Sequence, residues 1–378
     1  MEKTYLITGA GGRVGSRLVR VLCKNNIDYV KKLKLVDIRF NEAIKADQAK
    51  WCETAGIKAE WIEGDITDYQ AMTSAMTSVT VVLHLAALID YTGQIPNSKL
   101  WKINVEGTEN ILKCCLDKNV RYCLCTSSIE AVGPNYDMDP YLDCNENTPY
   151  KHNPAMYYAA TKHEAEIRAL RANGMEMANG KRLVTCALRP GGVYGDNDVT
   201  LGMMVQRTGP SKLLKSFSEP SAVQERMFVG NVAWAHLLAA KIMQETPEVV
   251  GGNAYFIGDE TPKLSYTRLN LKFCEHLGYT LAKPDPYVPR WVFYLIACIY
   301  AFTCKLLSWF GIHKPALLTP AAVRVVCTPF TTSYAKFKKD FGYEPLYSWE
   351  EALQSTKRDV EMIVEKEGLT VNRKTHRA

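Results

Sequence analysis

The chain has 378 residues, of which 47% are hydrophobic and 23% are charged, and its formal net charge is +6. This is the composition of an ordinary folded protein, so intrinsic disorder is not expected. The mild positive charge permits attraction to anionic lipid or to a cofactor phosphate, but it gives no reason to expect nucleic-acid binding.

Apolar runs and helix-like stretches alternate through the first half of the chain. The runs that predict strands are 4–8, 33–36, 79–86, 121–126 and 182–188. The stretches that predict helices between them are 14–25, 100–118 and 155–172. Such alternation gives βαβ units with right-handed crossovers, and therefore an α/β fold with a doubly wound parallel sheet.

Three glycines, Gly9, Gly12 and Gly15, follow the first predicted strand and open the first predicted helix. In a dinucleotide-binding loop, such glycines allow a tight turn, a close approach of backbone N–H groups to a pyrophosphate, and close packing of helix on strand. The helix N-terminus also favours the phosphate charge. Arg13 and Val14 belong to this predicted cofactor loop, although a glycine-rich stretch alone is also compatible with an ordinary surface loop.

Asp37 ends the second predicted strand, about twenty residues after the glycine loop, where a carboxylate accepts hydrogen bonds from a ribose diol. A carboxylate repels a 2′-phosphate, so we expect NAD rather than NADP. Arg39 weakens this preference, because an arginine could bind that phosphate, and a solvated turn residue is the other interpretation of Asp37. Asp65 and Ile66, after a further strand end, and Ala86 complete the predicted cofactor-binding set.

Tyr158 and Lys162 are four residues apart in a helix-like stretch and therefore share one face. A phenol has a pKa of about 10, too high for a general base at neutral pH, and a neighbouring ammonium lowers it. Lys162 could also bind the nicotinamide ribose. Ser127 and Ser128 follow the strand at 121–126, where a hydroxyl could hold the reacting oxygen against the base. Each feature alone is common, but their order in the chain indicates an NAD-dependent oxidoreductase.

The pattern changes after about residue 195, and segment 203–226 is polar and interrupted by glycine and proline. We predict that residues 1–200, with the returning segment 227–256, form a Rossmann domain that binds NAD. Residues 201–226 and 257–378 would form a smaller C-terminal substrate lobe.

Segment 291–312 is apolar apart from Lys305, and Arg290 precedes it. A spanning helix needs about 20 apolar residues, so the segment reaches that length only if Lys305 lies inside it. Three interpretations remain open: a buried core helix, a helix in the membrane interface, and a true span. Aromatic residues and flanking basic residues favour contact with membrane lipid.

Twelve cysteines invite a disulfide or metal interpretation. Cys114 and Cys115 are adjacent, Cys123 and Cys125 flank one residue, and no Cys-x-x-Cys pair is present. This spacing instead predicts reduced thiols, a catalytic domain that faces the cytosol, and no metal site. No glycosylation sequon or N-terminal signal peptide is evident. His84 lies in an apolar run and is expected to be a core histidine.

The combination resembles the extended short-chain dehydrogenases and, more narrowly, the 3β-hydroxysteroid dehydrogenase/Δ5-4 isomerase family. Stretches 126–133, 228–236 and 345–352 carry the resemblance, which runs from the glycine loop almost to the C-terminus. Asn104 matches the family's structural and proton-relay asparagine, and the family's catalytic serine corresponds to Ser128.

This resemblance implies a two-step reaction on a 3β-hydroxy-Δ5-steroid, as in steroid hormone biosynthesis. Tyr158 would accept the hydroxyl proton while C3 delivers hydride to NAD⁺, and Ser128 would hold the oxygen. The double bond would then move to Δ4 by proton transfer from C4 to C6. Asp259 and Glu260 match an acidic pair implicated in that step. The place of segment 291–312 implies attachment to an endoplasmic reticulum or mitochondrial membrane, and a homodimer is compatible with the resemblance.

Three functions remain open. The first is this dehydrogenase/isomerase, and the second is a dehydrogenase-only relative acting on a sterol carboxylate or another 3β-hydroxysterol. The third is a non-catalytic cofactor-binding membrane protein, against which the intact set of Ser128, Tyr158 and Lys162 argues. Nucleotide-sugar epimerases resemble the first half of the chain but do not need segment 291–312.

Overall fold

The computed structural model describes residues 2–90, 93–286, 288–311 and 318–368. Its strands are β1 (Lys3–Thr8), β2 (Val30–Asp37), β3 (Lys58–Glu63), β4 (Val81–His84), β5 (Tyr122–Thr126), β6 (Tyr141–Cys144), β7 (Val184–Pro190), β8 (Gly192–Tyr194), β9 (Leu213–Leu214), β10 (Arg226–Phe228), β11 (Ala254–Ile257), β12 (Thr280–Leu281) and β13 (Phe330–Thr332). Its helices are α1 (Arg13–Lys24), α2 (Glu42–Thr54), α3 (Tyr69–Ala75), α4 (Asn97–Trp101), α5 (Gly107–Asp117), α6 (Tyr157–Arg171), α7 (Val199–Thr208), α8 (Val229–Glu245), α9 (Pro247–Val250), α10 (Tyr266–Cys274), α11 (Arg290–Trp309), α12 (Pro320–Cys327), α13 (Ala335–Phe341) and α14 (Trp349–Lys366).

A seven-stranded sheet in the order β11-β7-β5-β4-β1-β2-β3 forms the centre of the molecule. All of its neighbouring strands run parallel. The chain builds outward from β1 to β2 and β3, then returns to place β4 on the other side of β1. Ligands bind beyond the carboxyl ends of the strands at such a reversal. The predicted doubly wound α/β sheet is therefore confirmed, and so are the five predicted strands.

Alternate residues of β1 face opposite sides of the sheet. Tyr5 and Ile7 join a buried cluster with α1, α2 and α8, whereas Leu6 joins a second cluster with α3, α5 and α6. Residues in a strand alternate between the two faces of a sheet, so a strand covered on both sides has no polar face. Burying one such side chain contributes about 1.5–3 kcal/mol.

The predicted helix at 100–118 is divided in the structure. A π-helical turn, Lys102–Glu106, separates α4 from α5. Its buried Asn104 hydrogen-bonds both backbone groups of Leu88 and the hydroxyl of Thr161. A widened turn of this kind often marks a functional position in a helix, and here it directs the Asn104 amide towards the loop after β4.

The C-terminal part of the chain packs a separate cluster around Tyr194, Phe228 and Phe273. The helices α7, α10 and α14 supply most of its other members. The predicted boundary at residue 200 falls inside α7. Asp198 caps the N-terminus of this helix, and its carboxylate accepts hydrogen bonds from two backbone N–H groups. The division into a Rossmann domain and a substrate lobe stays a prediction. Residues 369–378 of the predicted lobe lie outside the described part of the chain.

The helix α11 corresponds to the predicted apolar segment 291–312, whose residue 312 lies outside the described ranges. Phe293 and Ala297 pack against α12, and most other large apolar side chains of the helix face solvent. Only 17% of the residues in Arg290–Leu307 are buried, and the helix is long and apolar enough to cross a membrane. The interpretation of this segment as a buried core helix is therefore wrong, because most of α11 is exposed.

Candidate active site

The glycine loop lies tightly against the end of β4. Gly9 has a φ of +69°, and a Cβ atom there would lie 2.9 Å from the backbone nitrogen of Ala86. A Cβ atom on Gly15 would lie 2.1 Å from the carbonyl oxygen of Gly9. Only glycine fits at these two positions, because any side chain would clash with the backbone. The loop can therefore leave the N-terminus of α1 open to a pyrophosphate.

The Asp37 carboxylate is held beside this loop. Its Oδ2 atom accepts a hydrogen bond of 2.9 Å from Gly11 N, and its Oδ1 atom accepts one of 2.8 Å from Ile38 N. A carboxylate fixed at this distance from a phosphate-binding loop is suited to the hydroxyls of an adenine-linked ribose. Arg39 is exposed two residues further on. The loop and the carboxylate together fit a dinucleotide with an unmodified ribose diol.

Four other predicted cofactor residues are held by the protein itself. Arg13 donates a hydrogen bond of 2.9 Å to Val193 O, so its guanidinium joins the loop to β8. Val14 packs between two core clusters. Asp65 accepts hydrogen bonds from Thr67, and Ile66 is buried. Any contribution of these side chains to cofactor binding stays a prediction.

The predicted core histidine joins three elements. The Thr8 hydroxyl accepts hydrogen bonds from Leu85 N and Ala86 N and lies 2.8 Å from Nδ1 of His84. The Nε2 atom of His84 lies 3.0 Å from the Thr108 hydroxyl. Burial lowers the pKa of His84 to about 3, so this neutral ring is a fixed link between the end of β1 and α5.

Tyr158 and Lys162 lie on the buried face of α6, as predicted, whereas the neighbouring Tyr157 is 37% exposed. Tyr158 is only 5% exposed and hydrogen-bonds the Ser128 side chain. Ser128 adopts an extended backbone conformation beyond β5, and its hydroxyl accepts a bond of 3.2 Å from Glu130 N. Ser127 instead points its buried hydroxyl away from any partner among the described residues. The structure thus brings Ser128, not Ser127, against the tyrosine.

Lys162 is anchored to the strand that leads to Ser128. Its Nζ atom donates a hydrogen bond of 2.5 Å to the carbonyl oxygen of Thr126, and burial lowers its pKa to about 8. The Thr126 hydroxyl lies 2.8 Å from Nε2 of His236, whose Nδ1 atom lies 2.8 Å from Val232 O. His236 is fully buried in α8, so it supports the lysine anchor from behind the sheet. Sequence analysis did not assign this role to His236.

Lys162 was expected to lower the pKa of Tyr158, but it is not among the groups that shift this pKa. Burial is the largest cause and raises the pKa of the phenol above its ordinary value, Glu130 raises it further, and the Ser128 hydrogen bond opposes them. The Lys162 ammonium is committed to Thr126 O instead. If Tyr158 is the base, as the sequence predicts, its ionisation would depend on the Ser128 hydrogen bond and on positive charge supplied by a bound cofactor.

Asn104 acts on the site through Thr161. Its Nδ2 atom donates 3.0 Å to the Thr161 hydroxyl, which in turn donates 2.7 Å to the carbonyl oxygen of Tyr158. Asn104 also lines a cavity of about 10 Å³ together with Ser127 and Lys162. The structure gives Asn104 the position of a residue that holds α6 in place, and the proton-relay role stays a prediction.

A buried ion pair holds α6 one turn after Lys162. Arg189 on β7 donates Nε to Oε2 of Glu166 at 2.9 Å and Nη2 to Oε1 at 2.6 Å. Both side chains are largely buried, at 11% and 4% exposure. A two-point contact of this type fixes direction as well as distance, so Tyr158 and Lys162 are presented by a rigid helix.

Asp259 and Glu260, the predicted acidic pair after β11, have different surroundings from Tyr158. Asp259 is buried, and its carboxylate accepts hydrogen bonds from Phe228 N, the Asn231 amide and Thr261 N. Glu260 is exposed. These contacts give Asp259 a structural role at the start of α8, and a role of either residue in isomerisation stays a prediction.

Glu130 is a feature of the site that sequence analysis missed. It lies in a one-turn helix, Ile129–Ala131, directly after Ser128. The residue is half-buried, but its Oε2 atom is inaccessible to solvent and has no hydrogen-bond partner in the described part of the chain. Burial raises the pKa of this carboxyl to about 8. The sequence does contain one indication of this residue, because Glu130 lies between the apolar Ile129 and Ala131, two positions after Ser128.

The sequence profile of the 3-beta hydroxysteroid dehydrogenase/isomerase family matches residues 6–287. The chain belongs to this family. It is 35% identical over 356 residues to 3 beta-hydroxysteroid dehydrogenase type 7 of Mus musculus, covering 93% of this chain and 94% of that relative. It is 33% identical over 359 residues to the 3 beta-hydroxysteroid dehydrogenase/Delta 5-->4-isomerase of vaccinia virus strain Western Reserve, covering 94% and 98%. The protein is therefore an NAD-dependent oxidoreductase of this family.

Solved structures of low sequence identity share the fold. A dTDP-glucose 4,6-dehydratase double mutant from Streptomyces venezuelae, solved with NAD, superposes with a TM-score of 0.69 at 19% identity, covering 97% of this chain and 99% of that one. A UDP-glucose-4-epimerase from Stenotrophomonas maltophila superposes with a TM-score of 0.68 at 16% identity, covering 97% and 100%. These likenesses confirm the extended Rossmann architecture.

Proposed function

We propose that the protein oxidises the 3β-hydroxyl of a Δ5-steroid with NAD and then moves the double bond to Δ4. The observation that carries this proposal is the Ser128–Tyr158 contact at the carboxyl edge of the sheet, beside an intact glycine loop. The vaccinia relative is named for both steps. Such an enzyme would serve the formation of steroid hormones.

The chain's own residues divide the first step between them. NAD, when bound, supplies the hydride acceptor and a positively charged ring. Tyr158 accepts the hydroxyl proton, and Ser128 holds the same oxygen so that the C3 hydrogen is correctly placed. Lys162, fixed to Thr126, would bind the nicotinamide ribose. Gly9, Gly15 and Asp37 would hold the remainder of the cofactor.

An apolar substrate is consistent with contact between the protein and a membrane. Phe293, Ala297 and Cys304 are buried on one face of α11, and Phe293 and Ala297 pack in a cluster with Val323 and Cys327 of α12. The opposite face of α11 exposes large apolar side chains, among them Trp291, Ile299 and Phe302. We propose that α11 lies in the membrane interface of the endoplasmic reticulum or mitochondrion, with the catalytic domain on the cytosolic side.

A dehydrogenase without isomerase activity is the second candidate. The mouse relative is named for the dehydrogenase step alone, and the hydrogen bonds of Asp259 leave it committed to the fold. Under this alternative the 3-ketone would be released with its double bond still at Δ5.

The test is turnover of a 3β-hydroxy-Δ5-steroid by purified, detergent-solubilised protein with NAD⁺. NADH and the ultraviolet absorbance of a conjugated ketone are followed separately. Both signals rising supports the two-step proposal, and NADH alone supports the dehydrogenase-only alternative. If neither signal rises although NAD⁺ binds, the steroid assignment is wrong.

A further inference from the structure

We infer that Cys23 and Cys52 are a redox-sensitive modification site, at which hydrogen peroxide joins the two thiols in a disulfide and thereby weakens NAD binding. Both thiols are free in the structure. They belong to the cluster that contains α1 and α2, on the opposite face of the central sheet from α6. The inference therefore does not depend on which alcohol the enzyme oxidises.

The two thiols lie close enough to react with each other. Cys23 is on the last turn of α1 and Cys52 is on the last turn of α2, and their sulfur atoms are 3.7 Å apart. The helices also meet at Arg20, whose guanidinium lies 5.6 Å from the centre of the Trp51 ring. A disulfide has a sulfur–sulfur distance of about 2 Å, so closure requires the two sulfurs to approach by about 1.7 Å.

Cys23 is the member of the pair that an oxidant can reach. It is partly exposed, whereas Cys52 is only 2% exposed. Cys123 and Cys125 provide a contrast, because their sulfur atoms are 3.9 Å apart but both residues are buried in β5 within the cluster of α3, α5 and α6. A small oxidant can therefore reach Cys23 from solvent, whereas the two thiols of β5 are shielded.

The hydrogen bond between the two sulfurs prepares the pair for oxidation. It lowers the pKa of the Cys52 thiol, although burial acts in the opposite direction, and it raises the pKa of the Cys23 thiol. A thiolate of one residue is thus held by the thiol of the other, and either sulfur can carry the remaining proton. Because the thiolate is the reactive form of cysteine, transfer of this proton to Cys52 leaves a nucleophile at the exposed position.

The chemistry balances with hydrogen peroxide as the oxidant. The Cys23 thiolate attacks one peroxide oxygen, the O–O bond breaks, and the departing hydroxide takes up the proton that the pair had lost and leaves as water. The Cys52 thiol then attacks the sulfur of the resulting sulfenic acid. The S–O bond breaks, and a second water leaves with the Cys52 proton. Two thiols are oxidised to one disulfide, and one peroxide is reduced to two water molecules.

The disulfide acts on NAD binding through Gln48. This residue lies one turn before Cys52, and both are buried on the same face of α2. Gln48 Nε2 donates a 2.8 Å hydrogen bond to the carbonyl oxygen of Ala10 in the glycine loop, and its Oε1 atom accepts one of 2.9 Å from Trp61 Nε1. A close-packed interior transmits displacements, so drawing Cys52 towards α1 pulls Gln48 away from Ala10. The loop that would hold the pyrophosphate is then loosened.

The experiment treats reduced, full-length protein with hydrogen peroxide and follows it by mass spectrometry and calorimetry. Trypsin releases Cys23 in the peptide 21–24 and Cys52 in the peptide 51–58, so the disulfide is detected as these two peptides joined. We expect this linked species and an NAD⁺ affinity that is about 5-fold lower, which is the loss typical of one hydrogen bond. Treatment with dithiothreitol should separate the peptides and restore the affinity.

Three serine variants provide the controls. Cys23→Ser and Cys52→Ser should bind NAD⁺ as the reduced wild type does, and should keep that affinity in peroxide because neither can form the disulfide. Cys298→Ser removes a partly exposed cysteine of α11 and should respond to peroxide as the wild type does.

The inference is overturned by either of two results. Peptides 21–24 and 51–58 that stay unlinked in peroxide would show that the thiols do not form a disulfide. Linked peptides with an unchanged NAD⁺ affinity, or a loss of affinity in peroxide by Cys23→Ser as large as that of the wild type, would show that this pair does not control cofactor binding. The wild-type measurements decide the matter even if a serine variant does not fold.

Discussion

The ammonium of Lys162 donates a 2.5 Å hydrogen bond to the carbonyl oxygen of Thr126. Thr126 is the last residue of β5, so this bond ties the helix that carries Tyr158 to the strand that leads to Ser128. The catalytic geometry is thereby set by two elements joined directly, rather than by a mobile loop.

The assignment of the base predicts different results for two adjacent tyrosines. Tyr158→Phe should lower NADH formation by about 100-fold to 10,000-fold, because it removes the general base, while NAD⁺ binding stays nearly intact. Tyr157→Phe removes a hydroxyl from an exposed neighbour and should leave turnover unchanged. Steady-state kinetics and cofactor fluorescence titration measure both quantities. Retained turnover in Tyr158→Phe would show that another group is the base.

The glycine loop predicts a loss of cofactor binding in Gly15→Ala. The added Cβ atom would lie 2.1 Å from the Gly9 carbonyl oxygen, so the loop must open and its phosphate site is lost. Gly202→Ala is the control, since a Cβ atom on this helical residue meets nothing within 4 Å. That variant should bind NAD⁺ normally and gain about 0.5–1 kcal/mol of stability. Tight NAD⁺ binding by Gly15→Ala, measured by calorimetry, would contradict this account of the loop.

The ion pair between Glu166 and Arg189 predicts a large loss of stability when one partner is removed. Glu166→Ala leaves the buried Arg189 guanidinium without its partner, which should cost about 3–5 kcal/mol in the free energy of unfolding. The exposed pair of Lys272 and Glu275 provides the comparison, and Glu275→Ala should cost at most about 1 kcal/mol. Denaturant unfolding of the two variants gives both values. Similar losses would mean that the buried pair does not hold α6.

Much of the fold could be predicted from the sequence, and the reason is visible in β1. Tyr5, Leu6 and Ile7 are all fully buried because helices cover both faces of the sheet, so the strand is a continuous apolar run in the sequence. The positions of Tyr158 and Lys162 on one helix face follow from helical periodicity alone. Local sequence patterns were sufficient to predict features that depend on a single strand or helix.

The missed features depend on contacts between distant parts of the chain. The role of His236 becomes evident only when α8 packs behind Thr126. The π-helical turn depends on the hydrogen bonds of Asn104 to Leu88 and Thr161. The commitment of Asp259 to α8, and the lack of a partner for Glu130 Oε2 among the described residues, likewise depend on the folded surroundings of each carboxyl.

The raised pKa of Glu130 predicts a pH-dependent stability difference. Its folded pKa is about 8, whereas the unfolded value is about 4.3. The stabilisation that the bound proton gives the native state is therefore fully present below about pH 4 and is lost as the pH rises through 8. Glutamine has no such proton, so Glu130→Gln should gain in melting temperature relative to wild type between about pH 5 and pH 9. A pH-independent difference in melting temperature would show that the carboxyl is not buried in the native state.

The exposed face of α11 predicts the loss of membrane binding without loss of the fold. Replacing Leu295, Ile299 and Phe302 by serine removes apolar area from the outward face of α11. The packing of Phe293 and Ala297 against α12 is retained. Vesicle co-sedimentation should decrease strongly, while NADH formation in detergent should persist. The control is Val199→Ser, which removes a similarly exposed apolar side chain from α7 and should bind vesicles as before. Full vesicle binding by the triple variant would contradict the interfacial helix.

Deuterium transfer from C3 of the steroid tests the central claim most directly. The purified protein is incubated with NAD⁺ and a 3β-hydroxy-Δ5-steroid that carries deuterium on C3, and the reduced cofactor is examined by mass spectrometry. The account predicts one deuterium atom in NADH, and labelled NADH that forms about 100-fold to 10,000-fold more slowly when Tyr158→Phe protein is used. Unlabelled NADH, or label transfer at an undiminished rate by Tyr158→Phe, would contradict hydride transfer from C3 with Tyr158 as the base.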